Sequence, residues 1–237
     1  MCLPVYLAMT AAEYAGCAGL PAHIGWMACH FSPYGTGLSN LPPELPAGSL
    51  LILNDRTPVC GHDPGVICHQ LEECVSDLEC AGVLLDFQRP DCPETAAIAA
   101  AVLDLPCPVI VSESYAADLD CPVFLPPPPL YQPLAEYLQP WENREIWLEL
   151  APGSQTLEVD RDGCRIGALL PGDLSPTPLE DSQLHCHYWI DILENAIHFH
   201  LCRQMTDLER VLSQANSLGV HAAVGLYQEL KEWTMEK

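Results

Sequence analysis

Ala81-Gly82-Val83-Leu84-Leu85-Asp86-Phe87-Gln88-Arg89-Pro90 is an apolar run that ends abruptly in a carboxylate, an amide and a guanidinium. Side chains alternate along a strand, so Leu84, Asp86 and Gln88 share one face and Val83, Leu85 and Phe87 the other. The stretch predicts a buried strand that delivers polar groups at its C-terminal end.

The same signature recurs on both sides of it. Apolar runs at 4–9, 23–31, 49–54, 107–112, 121–125, 144–150 and 220–227 predict seven more strands, several of them ending in a polar residue. Between them lie helical patterns at 66–78, 93–103, 134–141 and 205–218, and a terminal helix begins at 230. Thr10 with Glu13, and Thr206 with Glu209, have the spacing of capping boxes; Asp63 precedes a helix as a cap, and Pro93 stands in a favoured first turn. Strands that alternate with helices predict a parallel sheet.

Residues 152–202 break the rhythm. Asp160-Arg161-Asp162-Gly163 is a turn between two short strands, and a second hairpin runs from His185 to Cys202 with its turn at Glu194-Asn195. That turn sets Asp191 opposite His198, Trp189 opposite His200 and His187 opposite Cys202 on a polar face. Tyr188, Ile190, Ile192, Ile197, Phe199 and Leu201 take the other face. The polar face holds residue types that zinc accepts, but cross-strand neighbours do not guarantee tetrahedral geometry, so a solvated or partner-facing surface is expected ahead of a metal site, and no metal is expected.

Eight parallel strands with this interruption predict an α/β chain, a (β/α)8 barrel over 1–151 and 203–237. A small antiparallel β insertion occupies 152–202, between strand seven and its helix. The rival is an open doubly wound sheet followed by a β domain that starts near Pro152.

Composition excludes several function classes. Against 32 acidic residues stand 9 Lys and Arg, a formal charge of -23 that repels phosphate backbones, so no nucleic-acid partner is expected. No apolar run reaches the roughly 20 residues of a bilayer span, so no membrane partner is expected either. The N-terminus has no basic segment of a secretory signal, and 13 cysteines, odd in number and scattered, fit reduced thiols in a cytoplasm. No Gly-rich phosphate loop or Cys-x-x-Cys occurs, and no cofactor is expected.

The opening stretch resembles the fourth-strand motif of the chitinase-like glycoside hydrolases of family 18, Asp-Gly-x-Asp-x-Asp-x-Glu. Laid on this chain it meets Ala81, Gly82, Val83, Leu84, Leu85, Asp86, Phe87 and Gln88, so the glycine and the last aspartate are kept. The family is similar also in its α+β insertion after strand seven and in an aromatic-bearing last strand, here ending at Tyr227. The resemblance implies that a glutamate at the Gln88 position protonates the leaving oxygen while the substrate's own acetamido group attacks, outside the two-carboxylate scheme. An amide cannot donate that proton, and losing a general acid forfeits about 10²–10⁴ in rate.

The expected site is therefore a barrel mouth. Asp86, Gln88, Glu113, Glu149 and Glu229 are the candidate catalytic residues, and Trp26, His30, Tyr34, Asp55, Arg56 and Tyr227 the candidate ligand-binding ones. Arg56 and Arg89 are expected to pair with Asp55 or Asp86. The expected function is binding of a glycan or related polar ligand with weak or no hydrolysis. The alternatives are a hydrolase that uses Glu113, Glu149 or Glu229 as its acid, and an interaction module that binds a protein partner or a second copy through the 185–202 hairpin.

Overall fold

A computed structural model describes residues 3–89, 92–168 and 177–235, and the side chains of 232–235 lie outside the description. In chain order the elements are β1 (Val5–Met9), α1 (Ala11–Gly16), β2 (Ile24–Phe31), β3 (Leu38–Ser39), β4 (Leu50–Asn54), α2 (Pro64–Asp77), β5 (Gly82–Asp86) and α3 (Pro93–Ala101). They continue with β6 (Val109–Ser112), α4 (Glu113–Ala116), β7 (Val123–Leu125), α5 (Leu134–Leu138) and β8 (Ile146–Glu149). Then come β9 (Gly153–Asp160), β10 (Gly163–Ala168), β11 (Leu179–Asp181), β12 (Cys186–Ile192), β13 (Ala196–Arg203), α6 (Met205–Ser217), β14 (Ala222–Leu226) and α7 (Tyr227–Met235).

The parallel strands run in the order β1-β14-β8-β7-β6-β5-β4-β2, and β1 also pairs with β2, which closes the sheet into an eight-stranded barrel. Closure excludes the open doubly wound alternative. The two-residue β3 adds an antiparallel partner to β2. Side chains from seven of the eight strands meet in one buried cluster, Tyr6, Leu50, Leu84, Ile110, Phe124 and Trp147 among them. Alternate residues of each closed strand point inward, so this cluster fills the lumen. The other faces of the strands are buried too, with Val83, Leu85 and Val111 fully covered, as are Ile67, Leu71 and Ile98 on the helices. Gly82 is needed where β5 enters the sheet, because a Cβ there would stand 2.8 Å from the Pro108 carbonyl oxygen.

Local signals set several element ends. Thr10 and Glu13 form the expected capping box, with Thr10 N donating to Glu13 Oε2 at 2.8 Å and Glu13 N to Thr10 Oγ1 at 3.3 Å. Asp63 caps α2 through Gly65 N and Val66 N. At α6 the cap is two residues earlier than expected: Gln204 and Asp207 form the box, and Thr206 lies inside the helix. Asp207 is 1% exposed and also meets His187 Nδ1 at 3.2 Å, and this tertiary contact outweighs the intrinsic preference for Thr as a cap. The last strand stops at Leu226, so Tyr227, read as its final residue, opens α7 instead.

The antiparallel sheet has five strands in the order β10-β9-β13-β12-β11. Its central hairpin has the expected register, with His187 opposite Cys202, Trp189 opposite His200 and Asp191 opposite His198. Its turn falls at Glu194-Asn195, closed by Leu193 N donating to Ala196 O. The first hairpin turns where Asp160 Oδ1 accepts from Asp162 N and Gly163 N, and Gly163 sits at φ 136°. The expected strand end at Leu169 lies outside the described residues.

By contacts the chain divides into two compact units, one of 1–126, 141–149 and 220–237, the other of 127–140 and 150–219. The second unit takes α5 and α6, which the sequence reading assigned to the barrel. Its core explains why: Leu130 from the proline-rich segment, Cys186 and Leu201 are buried together, so the segment after β7 is part of that core.

Candidate functional site

The C-terminal ends of the barrel strands carry the polar groups. Asp86 ends β5 beside Asn54, which ends β4, and its Oδ1 accepts from Gln88 Nε2 at 2.8 Å. Burial pushes the Asp86 carboxyl above its ordinary range; the Gln88 hydrogen bond lowers it again, Asp55 raises it and Arg56 lowers it. Glu149, at the end of β8, is pushed up to about 7, first by burial and then by the negative charges of Asp86 and Glu229. Glu149 therefore senses both Asp86 and Glu229, while Asp55, Arg56 and Gln88 act on Asp86.

Asp55 is 2% exposed and acts as a scaffold: its Oδ1 accepts from Gln88 N at 3.0 Å and its Oδ2 from Arg89 N at 2.9 Å. Those two bonds aim the chain after β5. They also replace the expected ion pairs, since Arg89 donates to the Arg56 carbonyl at 2.6 Å and neither arginine pairs with Asp55 or Asp86 among the described residues.

The remaining candidates are placed elsewhere. Glu113 opens α4, and burial alone raises its carboxyl, with no contribution from the carboxylates of the mouth. Trp26 is 5% exposed, donates from Nε1 to Asn40 O at 2.8 Å and packs edge-on against Tyr14, on the side of β2 away from the lumen-facing Met27. His30 is engaged by the Phe31 carbonyl and the Asn40 amide, and Tyr34 is 97% exposed. Tyr227 Oη lies 3.5 Å from Cys17 Sγ. The expected aromatic lining thus does not form from Trp26, Tyr34 and Tyr227.

Sequence reasoning passed over Asn54, Ser112 and Tyr115. Asn54 Nδ2 donates to the carbonyls of Met27 and Cys29, Ser112 Oγ donates to Phe87 O at 2.7 Å, and Tyr115 Oη donates to Arg89 O. Asn54 and Ser112 carried the same signal as Asp86, a polar residue closing an apolar run. On the polar face of the hairpin, Asp191 Oδ2 meets His200 Nε2 at 2.9 Å, and no group of three or more His, Cys, Asp or Glu fit for a metal forms among the described residues. No helix among them is long and apolar enough to cross a membrane.

Glu149 makes stability depend on pH. Its folded carboxyl titrates near 7 against an ordinary 4.5, so between these values the native chain holds a proton that the unfolded chain has lost. Stability is then full below that window and falls as pH rises through it. Glu149→Gln is expected to raise the urea midpoint at about pH 8 and leave it unchanged near pH 4. Equal stabilisation at both would show that the mouth does not carry this charge penalty.

No protein-family model matches the chain, and no curated protein sequence does. Among solved structures, the fold is that of the family 18 chitinases and chitinase-like proteins, a closed (β/α)8 barrel with an antiparallel insertion. The chain is similar to an N-acetylglucosaminidase of glycoside hydrolase family 18 from Paenibacillus barengoltzii, with a TM-score of 0.57, 9% identity and coverage of 94% of each chain. It is similar to a chitinase-like agglutinin from Robinia pseudoacacia at 0.56, with 10% identity and 98% of each chain covered. A mutant family 18 chitinase from Cycas revoluta, in complex with (GlcNAc)4, matches at 0.55, with 11% identity and 94% of each chain covered.

Proposed function

We propose that the barrel mouth binds an N-acetylated glycan and hydrolyses it weakly or not at all. The observation that carries this reading is Gln88. Its amide is held against Asp86 at 2.8 Å, at the position where the family motif has its acid. The Asp86–Gln88 pair offers hydrogen-bond donors and acceptors suited to an acetamido group, but no transferable acid proton from Gln88. The structural neighbours support the ligand class, one being an agglutinin and another a chitinase in complex with (GlcNAc)4.

Calorimetric titration with (GlcNAc)4 tests it. Saturable binding that Asp86→Ala abolishes, with product release no faster than in buffer, is the expected result. Absence of binding sinks the proposal. A second reading rests on Glu149, whose carboxyl near 7 is tuned for a general acid at neutral pH. It predicts measurable hydrolysis that Glu149→Gln reduces by about 10²–10⁴.

The location we propose is cytoplasmic, supported by the free state of all 12 cysteines among the described residues. A role of the hairpin in protein contacts draws support from Ile192, 80% exposed, and Ile190, 44% exposed, on its apolar face.

A further inference from the structure

With 32 acidic residues against 9 basic ones, an arginine of this chain has no shortage of acids to pair with. Most of the arginines are engaged. Arg165 pairs with Glu158 at 2.6 Å and also with Asp160, and Arg210 pairs with Glu180. Arg144 donates to the carbonyls of Ala116 at 3.0 Å and Cys121 at 2.9 Å, and buried Arg203 to those of Pro128 at 2.9 Å and Leu184 at 3.1 Å. Arg56 and Arg89 differ. Both are exposed, and neither guanidinium meets a carboxylate among the described residues. Arg56 donates only from its backbone, N to Asn54 Oδ1 at 3.2 Å, and its guanidinium has no hydrogen-bond partner among them.

The two are held side by side. They follow the neighbouring strands β4 and β5, and Arg89 Nη2 donates to the Arg56 carbonyl at 2.6 Å. The Arg89 amide is fixed in turn by Asp55, 2% exposed, at 2.9 Å. Arg56 stands near enough to Asp86 for its charge to lower that carboxyl. In the closed strand order β8 lies four places from β4, and β14 four places from β5. Glu149, which ends β8, and Glu229, which follows β14, therefore stand across the barrel from the arginines. The mouth is polarised, with cations on one rim and carboxyl groups on the other.

An exposed arginine is ordinarily a solvated charge. Two of them fixed together repel unless an anion comes between them. A guanidinium binds a carboxylate through two parallel N–H···O bonds, and this pair offers such forks beside Asp86 and Gln88. A singly charged group suits the place better than a phosphate, because Asp86 and the carboxyl groups opposite repel each further negative charge. The net charge of -23 opposes any anion at long range, but screening beyond about 8–10 Å leaves the nearest groups to decide. We propose that the mouth selects an N-acetylated glycan that carries a carboxylate, with the acid group seated on Arg56 and Arg89. This rests on the glycan-binding reading of the same mouth and adds the class of glycan.

Calorimetric titration of the full-length chain at neutral pH tests it with two pairs of probes matched in length. Chitobiose is set against GlcNAc–MurNAc, which adds a lactyl carboxylate, and (GlcNAc)4 against a hyaluronan tetrasaccharide, which carries uronic acids. At least one acidic probe is expected to bind about tenfold or more tighter than its neutral partner, the usual gain from hydrogen bonds to a charged group. The pair that shows it distinguishes a lactyl ether from a uronic acid. Arg56→Gln should remove the preference, and about 0.5 M salt should weaken it in wild type, since both arginines are exposed. Arg161→Gln, at an exposed arginine on the turn of the first hairpin, changes the net charge equally and should leave the preference intact. Acidic probes no tighter than neutral ones, with (GlcNAc)4 still saturable, would overturn the carboxylate preference and leave the glycan reading standing. No binding by any of the four would overturn both. A preference that persists in a folded Arg56→Gln chain, or falls as far in Arg161→Gln, would also overturn it. If Arg56→Gln does not fold, the salt titration decides, and a preference unmoved by salt rejects the proposal.

Discussion

Gln88→Glu is expected to raise hydrolysis of an N-acetylated chito-oligosaccharide by about 10²–10⁴-fold, the contribution of a general acid. The geometry supports a gain. The Gln88 side chain already reaches Asp86, its Nε2 standing 2.8 Å from Oδ1, and its backbone is fixed by Asp55. A carboxyl in that place lies against a second carboxyl that is itself partly buried, so the two cannot both ionise and one retains a proton at neutral pH. That retained proton is what leaving-group protonation requires. A fluorogenic chitobioside assay on wild type and variant, read from pH 4 to pH 8, measures the effect. No gain at any pH, in a variant that still binds (GlcNAc)4, would reject the equivalence of position 88 with the family's acid. A gain would show that one side chain separates a binding mouth from a cleaving one.

Trp147→Ala is expected to cost about 3–5 kcal/mol, the usual range for deleting a buried large aromatic. Trp147 is 4% exposed in the barrel lumen, its ring 5.4 Å from that of Tyr6 and stacked on His221 at 5.7 Å. Its Nε1 donates to Glu145 Oε1 at 2.9 Å, so truncation removes lumen volume and a hydrogen bond together. Against a typical total of roughly 5–15 kcal/mol, such a loss takes much of the margin. Urea unfolding followed by circular dichroism should show a lower midpoint with an unchanged slope. A loss under about 1 kcal/mol would mean that neighbouring side chains refill the lumen.

Much of the barrel was legible because its signals are local. Each strand is an apolar run of strand length, and helical patterns separate most of them, which is enough to predict parallel pairing. The register of the second hairpin was legible for the same reason: a two-residue turn at Glu194-Asn195 leaves one pairing that puts all the apolar side chains on one face. The α6 cap was not legible, since Asp207 is selected by burial and by His187, 20 residues distant in sequence. The partners of Asp55 were not legible either. Its neighbour Arg56 is adjacent in sequence, but the amides it binds come from 33 and 34 residues away, brought to it by the parallel pairing of β4 and β5.

Of the mouth, the sequence alone determined which strands end in polar groups, and therefore that Asp86, Gln88 and Glu149 stand at one end of a barrel. The place of each polar residue at the C-terminal end of its apolar run decides that, and that place is local. Only the tertiary structure decided which of them act together: Asp86 and Glu229 are brought within electrostatic reach of Glu149, whereas Trp26 turns outward and Tyr227 meets Cys17. Closure, twist and the points where helices begin set those outcomes. They depend on contacts between strands far apart in the chain, which no stretch of residues carries by itself.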